Sequence, residues 1–255
     1  MKGTTPLWKF IIVPLFWLAV WQILSLLVDS PLLLPAPGTV ALRLGQLVVS
    51  AAFWRVTAAS LLRILCGAVA AVALGTALAV ACCRFSLLDA LLAPLLGAIR
   101  STPVASFIIL LLIWIGRDLL PAVIVILMVL PVVWANVCAG IRATSPLLLR
   151  TARVFRFSPM RTLRRVYVPS VMPHFLSACR TSLGLAWKSG IAAEVLTVPA
   201  ASIGKMLYES KLYLETVDLF AWTAVVVICS LIIEKVLMAA IARLGKAYAV
   251  GGDAA

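Results

Sequence analysis

Long apolar runs, separated by short clusters of proline, glycine and charge, dominate the sequence. A helix needs about 20 mostly apolar residues to cross a bilayer. Phe10–Val28 is the first such run, preceded by Lys2 and Lys9. It exceeds the ~7–15-residue core of a signal peptide, and no A-x-A site follows, so a retained anchor helix is predicted. Residues 29–60 read as an external segment. Pro31, Pro35 and Pro37 make its start extended, and Val40–Val56 has the periodicity of an interfacial helix. Leu61–Cys83 is the second predicted span. Gly67, Ala71, Gly75 and Ala79 recur in it at steps of four, which puts small residues on one face and invites close helix packing. Leu87–Gly116, interrupted by Pro94 and by Arg100-Ser101-Thr102-Pro103, reads as one long kinked third span. Leu119–Gly140 is the fourth, His174–Leu196 the fifth and Leu219–Leu244 the sixth, with an amphipathic stretch, Thr197–Asp218, between the last two. The predicted organisation is therefore an anchor (1–28), an external segment (29–60), a five-helix core (61–244) holding a polar loop (141–173), and a tail (245–255). The fold class is all-α and polytopic.

Composition agrees. Of 255 residues 64% are apolar and 12% charged, against about 45–50% and about 25% in soluble domains. Mean hydropathy is +1.14. Too little polar surface is left to cover a water-soluble globule. The net charge of +13 is read as membrane orientation and a partner surface, with no nucleic-acid role. Six spans put both ends on one side. With the ends cytoplasmic, twelve Lys and Arg fall in inner segments and five in outer ones, so both termini are predicted on the cytoplasmic side of the cell membrane.

The six cysteines all lie in apolar stretches without metal-ligand spacing, and His174 is the only histidine. No metal centre and no catalytic cluster is predicted. No P-loop is present either. Gly204-Lys205 and Gly245-Lys246 are preceded, five positions before each glycine, by Pro199 and Ala240, and followed by Met206 and Ala247. Neither pair can cradle phosphate in the G-x4-G-K-[ST] manner.

The loop 141–173 is the most informative segment. It holds seven arginines between 142 and 165 and no acid. Leu148, Leu149, Ala152, Phe155 and Phe157 are interleaved with them. A helix is predicted over Ser145–Phe155, a break at Ser158-Pro159, and a second helix over Pro159–Val168, ending at Pro169. Apolar anchors with a charged rim suit a short helix docking into a partner's groove.

Inside the spans, Arg180, Trp187 and Glu194 are spaced by seven and share nearly one face of the fifth helix, with Gly184 beside it. They are candidates for the wall of a translocation path, with Lys188 and Arg100 attracting an anionic solute. Intramolecular ion pairing is the alternative for Glu194 and Lys188, because a charge in the bilayer needs a partner or a wet path.

This sequence resembles the permease subunits of binding-protein-dependent ABC importers. Their cytoplasmic motif, E-A-A-x3-G-x9-I-x-L-P, precedes the penultimate span. With Pro169 at the terminal proline, Val166 and Val168 take the Ile and Leu places and Ala152 an alanine place. Arg150 stands where the family has Glu, and Arg156 where it has Gly, so the turn is expected at Ser158-Pro159. Ala58–Arg63, Arg100–Pro103, Gly184–Lys188 with Ala193-Glu194, and Ile203-Gly204 through Asp218–Ala221 resemble the nitrate/sulfonate/taurine-type branch. The resemblance implies a type I importer permease fold and a homodimer. It also implies one cytoplasmic ATPase per copy, which binds the ATP, and a substrate-binding protein outside. No cofactor is implied for this subunit. It further implies that Arg150, Ala152, Arg153, Phe155, Arg156, Phe157, Ser158, Pro159, Arg161 and Pro169 form the ATPase-coupling helix and its flanks. Two other readings stay open: the coupling component of an energy-coupling-factor vitamin transporter, and an ATP-independent carrier. A carrier often shows an internal repeat of its spans, and none is found. A membrane enzyme would need clustered reactive groups, which are absent.

Overall fold

Ser50 decides where one of the two longest helices begins. The structure, a computed structural model, describes residues 7–249, with side chains described for 12–240. Lys2, the side chains of Lys9, Arg243 and Lys246, and the chain beyond 249 lie outside the described residues. A first helix, α1, spans Leu7–Val28, and α2 spans Pro37–Val49. Ser50 ends α2 in an extended conformation and its hydroxyl accepts from the Ala52 amide at 3.2 Å, capping α3, Ala51–Arg84. The predicted interfacial helix to Val56 therefore stops seven residues earlier, at Val49. The start of α3 is not interfacial: Phe53, Val56 and Thr57 are buried.

The small-residue face of α3 packs on the later helix Leu120–Arg142, which is α6 in chain order. Ala71 and Ala79 are fully buried. A Cβ added at Gly67 would come within 2.9 Å of the Ala122 carbonyl, and one at Gly75 within 3.0 Å of the Leu130 carbonyl. The two backbones approach this closely because no side chain stands between them.

The third predicted span is broken. Helix α4, Ser86–Ser101, and α5, Val104–Leu111, meet at 103°. The Thr102 hydroxyl donates back to the Ala98 carbonyl at 2.8 Å, Pro103 offers no amide to continue the ladder, and the chain turns. The segment is thus two pieces at a right angle and not one kinked rod. Ile108 of α5 is buried against Leu120, Ile124 and Ala193.

After α6 come α7, Pro146–Val154, and α8, Pro159–Thr162. A π turn, Leu163–Tyr167, leads without interruption into α9, Val168–Thr197. Pro169 was expected to end a helix, but the helix runs through it. Proline lacks the amide and crowds the carbonyl four residues back; the wider π turn just before it, where the Val168 amide reaches back to the Leu163 carbonyl, makes room for the ring. Next is α10, Ile203–Leu212, inside the predicted amphipathic stretch. Last is α11, Thr216–Ala249, which continues past Leu244. At this end of the bundle Trp21 of α1 stacks on Phe220 of α11, and Arg43 pairs with Asp218 through two contacts of 2.5 and 2.7 Å.

Among the described residues, three helices, α3, α6 and α11, are long and apolar enough to cross a membrane, and the bent pair α4–α5 would make a fourth. The six predicted spans are not all matched on that measure. Helix α1 runs for 22 residues, Leu7–Val28, but that measure takes in only Ile12–Val28 of it, and α9 carries Arg180, Lys188 and Glu194.

Candidate functional site

Within α7, Leu149 and Ala152 turn towards the protein, and Ala152 is 4% exposed. Leu147, Leu148, Val154 and Phe155 turn outward, at exposures of 49–78%. With Thr151 they form one outward stripe, since positions three, four and seven apart share a helix face. Arg150, Arg153 and Arg156 are exposed beside it. The outward anchors are therefore partly different from those expected. Ala152 is a packing residue, and Phe157 is half-buried beneath the Arg161 guanidinium, 5.6 Å from its ring centre.

The chain leaves α7 through an elbow that bends at Arg156 and not at Ser158-Pro159. Arg156 has φ +48°, a left-handed conformation. Its amide bonds the Arg153 carbonyl at 3.0 Å, and the Phe157 amide bonds the Ala152 carbonyl at 2.9 Å. This is the paired closure of a Schellman cap, whose left-handed residue is usually glycine. Arginine thus fills a left-handed cap position that glycine usually takes, at a cost of about 1 kcal/mol. Ser158 then caps α8 through the Arg161 amide, and Pro159 opens it. None of Arg150, Arg153, Arg156, Arg161, Arg164 and Arg165 has a carboxylate within 4.0 Å among the described residues.

On α9, Arg180, Gly184, Trp187 and Lys188 line one cleft of about 350 Å³ against α11, together with Glu234. The space beside Gly184 is open: a Cβ there would meet nothing within 4 Å. Trp187 is 4% exposed and donates its indole N–H to the Val226 carbonyl at 3.1 Å, so it also clamps α11. Arg100 is exposed at the end of α4 and does not line this cleft.

Glu194 lines no open surface. It is fully buried. One carboxylate oxygen accepts from Ser60 Oγ at 2.7 Å and from the Gly204 amide at 3.3 Å; the other is paired with Arg63. Ser60 Oγ in turn accepts from the Ile203 amide at 2.8 Å, and Arg63 also donates to the Ala201 carbonyl at 3.3 Å. A Cβ on Gly204 would sit 2.4 Å from the Glu194 backbone. The expected path residue is thus the centre of a knot that ties α3, α9 and the start of α10 together. Nothing local in the sequence joins Ser60 and Arg63 to it, because they lie more than 130 positions from Glu194. Their spacing of three on α3 is the available signal. Among the described residues no cluster of His, Cys, Asp and Glu could hold a metal.

Residues 71–249 match the family of binding-protein-dependent transport system inner membrane components. The chain belongs to that family. It is a permease subunit of an ABC importer, a membrane transport component. Relatives include the taurine transport system permease protein TauC of Escherichia coli, 28% identical, with 88% of this chain and 83% of TauC covered. The putative aliphatic sulfonates transport permease protein SsuC of Bacillus subtilis is 27% identical, with 84% of this chain and 78% of SsuC covered. The bicarbonate transport system permease protein CmpB of Synechocystis is 26% identical over 62% of this chain and 56% of CmpB. Among solved structures, the inward-facing MetNI methionine ABC transporter aligns with a TM-score of 0.54 at 19% identity, covering 76% of this chain and 93% of that one. That likeness fixes the fold as the one MetNI's permease has.

Proposed function

We propose that this permease works as a homodimer in the cell membrane, with both termini cytoplasmic. Each α7 elbow docks on a separate ATPase that binds and hydrolyses the ATP, and a substrate-binding protein delivers the solute from outside. The subunit itself carries no cofactor and binds no nucleic acid. The observation that carries this reading is the outward face of α7. Leu147, Val154 and Phe155 are exposed apolar groups in a rim of arginines without acid partners among the described residues. Exposed anchors on a rigid helix with a charged edge are what a groove-docking helix needs. The Schellman closure at Arg156 then fixes the angle between α7 and the π turn, so a push on α7 reaches α9.

Arg150, Arg153, Phe155, Arg156, Phe157, Ser158, Pro159 and Arg161 form or brace the contact, and Pro169 sits where the elbow joins α9. Gly184, Trp187 and Lys188 border the path, and Arg100 lies at a second cationic place on it. The solute is a small oxoanion of the sulfonate kind. Two relatives are named for taurine and aliphatic sulfonates and a third for bicarbonate, and Arg180 and Lys188 against the one acid Glu234 leave the cleft net cationic. The test is Phe155→Asp in the complete transporter. ATPase association and solute-dependent ATP hydrolysis are expected to fall while the permease remains folded. Undiminished association and uptake would contradict the reading.

A further inference from the structure

A cavity of about 470 Å³ opens between the α7-side ends of α3 and α6 and the first turns of α9. Its lining is mostly hydrocarbon, among it Val80, Val137, Val171 and Phe175; the Thr76 hydroxyl is buried, Tyr167 is half-buried and Arg84 is exposed. Thr76 to Arg84 spans about 12 Å of helix at 1.5 Å per residue. That is most of the ~15 Å that one leaflet contributes to a ~30 Å hydrocarbon core.

The Arg84 guanidinium lies 5.6 Å from the Phe85 ring centre, and no carboxylate is within 4.0 Å of it among the described residues. Arg161, Arg164 and Arg165 are exposed on the adjoining elbow. The slot is thus apolar along most of its length and cationic where Arg84 is exposed.

Three kinds of occupant differ in what they ask of such a slot. Water needs two to four polar partners, and the walls offer little beyond the Thr76 hydroxyl, which has no hydrogen-bond partner of its own. A helix from a second copy would need an anion to meet Arg84, and α1, for one, holds no acidic residue over Leu7–Val28. An acyl chain asks for no hydrogen bonds, is narrow enough, and brings a headgroup to the depth of Arg84. We propose that the slot binds one acyl chain of an anionic phospholipid, with the phosphate on Arg84 and the Tyr167 hydroxyl beside it. Its leaflet assignment rests on the cytoplasmic placement of α7 proposed above. Since the π turn Leu163–Tyr167 forms part of the mouth, the lipid lies against the joint between elbow and α9.

The complete transporter in nanodiscs is photolabelled with a phosphatidylglycerol carrying a diazirine in its acyl chain, and adducts are mapped by mass spectrometry. Adducts on Val80, Val171 or Phe175 are expected to exceed those from the matched phosphatidylcholine by about fivefold, the ratio one arginine gives near an anionic surface. Arg84→Gln should remove that preference, and Val80→Trp should remove the adducts. Equal labelling by both lipids, labelling indifferent to Arg84→Gln, or a cross-link placing residues 12–28 of a second copy in the slot would each overturn the proposal. Should Val80→Trp fail to fold, the headgroup preference and Arg84→Gln decide it. The readout is independent of ATPase docking, so this proposal and the coupling reading fail separately.

Discussion

Replacing Arg63 by methionine isolates the energetics of the buried knot. The substitution keeps much of the side chain's length and removes the charge, leaving the Glu194 carboxylate, fully buried, with only Ser60 and the Gly204 amide as donors. It also strips the Ala201 carbonyl of a donor. Breaking a buried pair from one side costs about 3–5 kcal/mol, because the remaining charge is uncompensated. Glu194→Gln alone strands Arg63, which is still 16% exposed at its side chain and reaches some water, so its cost is about 1–3 kcal/mol. Removing both charges together should cost less than the sum. The double-mutant cycle is expected to return a favourable coupling of about 2 kcal/mol. Reversible SDS unfolding in mixed micelles, followed by tryptophan fluorescence, gives the four stabilities. Uptake per folded molecule in proteoliposomes separates a structural role from a path role, and the Arg63→Met/Glu194→Gln double variant should retain most of it. A coupling near zero, or loss of uptake in a well-folded double variant, would refute the assignment of Glu194 to the scaffold.

Other substitutions probe the remaining elements. Gly204→Ala forces a methyl into the Glu194 backbone at 2.4 Å and should cost about 3 kcal/mol in the same unfolding assay; a neutral effect would mean that α10 is not seated as described. Arg156→Gly should stabilise by up to about 1 kcal/mol, since glycine takes the left-handed conformation without penalty, whereas Arg156→Val should destabilise. Identical melting of the two would rule out the cap. Phe155→Asp, at a site 69% exposed, should move stability by no more than about 0.5 kcal/mol while ATPase pull-down falls sharply. Lys188→Ala should slow uptake of a sulfonate with little change in stability; unchanged uptake would leave the cleft without a role in transport.

Much of the fold is written in local pattern. The small-residue steps on α3, the helix over Ser145–Phe155 and the second helix opening at Pro159 depend on neighbours within a turn or two, and all three appear. What depends on distant partners does not show. Nothing near Glu194 announces Arg63, so a carboxylate in a span looks as much like a path residue as a scaffold one. The 103° break after Ser101 reads as a kink, because proline in a span is compatible with either. At Arg156 the absence of glycine suggests that the bend has moved. The backbone closure between residues 152 and 157 holds the position left-handed anyway. Pro169 reads as a stop signal unless the turn before it widens, and no sequence rule marks that widening.

If α7 is the seat of the ATPase, residue 155 must touch that partner from the cytoplasmic side. The most direct measurement introduces Phe155→Cys into an otherwise cysteine-free, transport-active permease. Cross-linking is then done in native membranes with a short bifunctional thiol reagent, after cysteine scanning of the co-expressed ATPase. The expected result is a permease–ATPase adduct through residue 155 whose yield changes with ATP, and protection of that thiol from membrane-impermeant reagents added outside the cell. A residue 155 that is labelled from outside, or that stays uncrosslinked in a complex hydrolysing ATP in response to its solute, would contradict it.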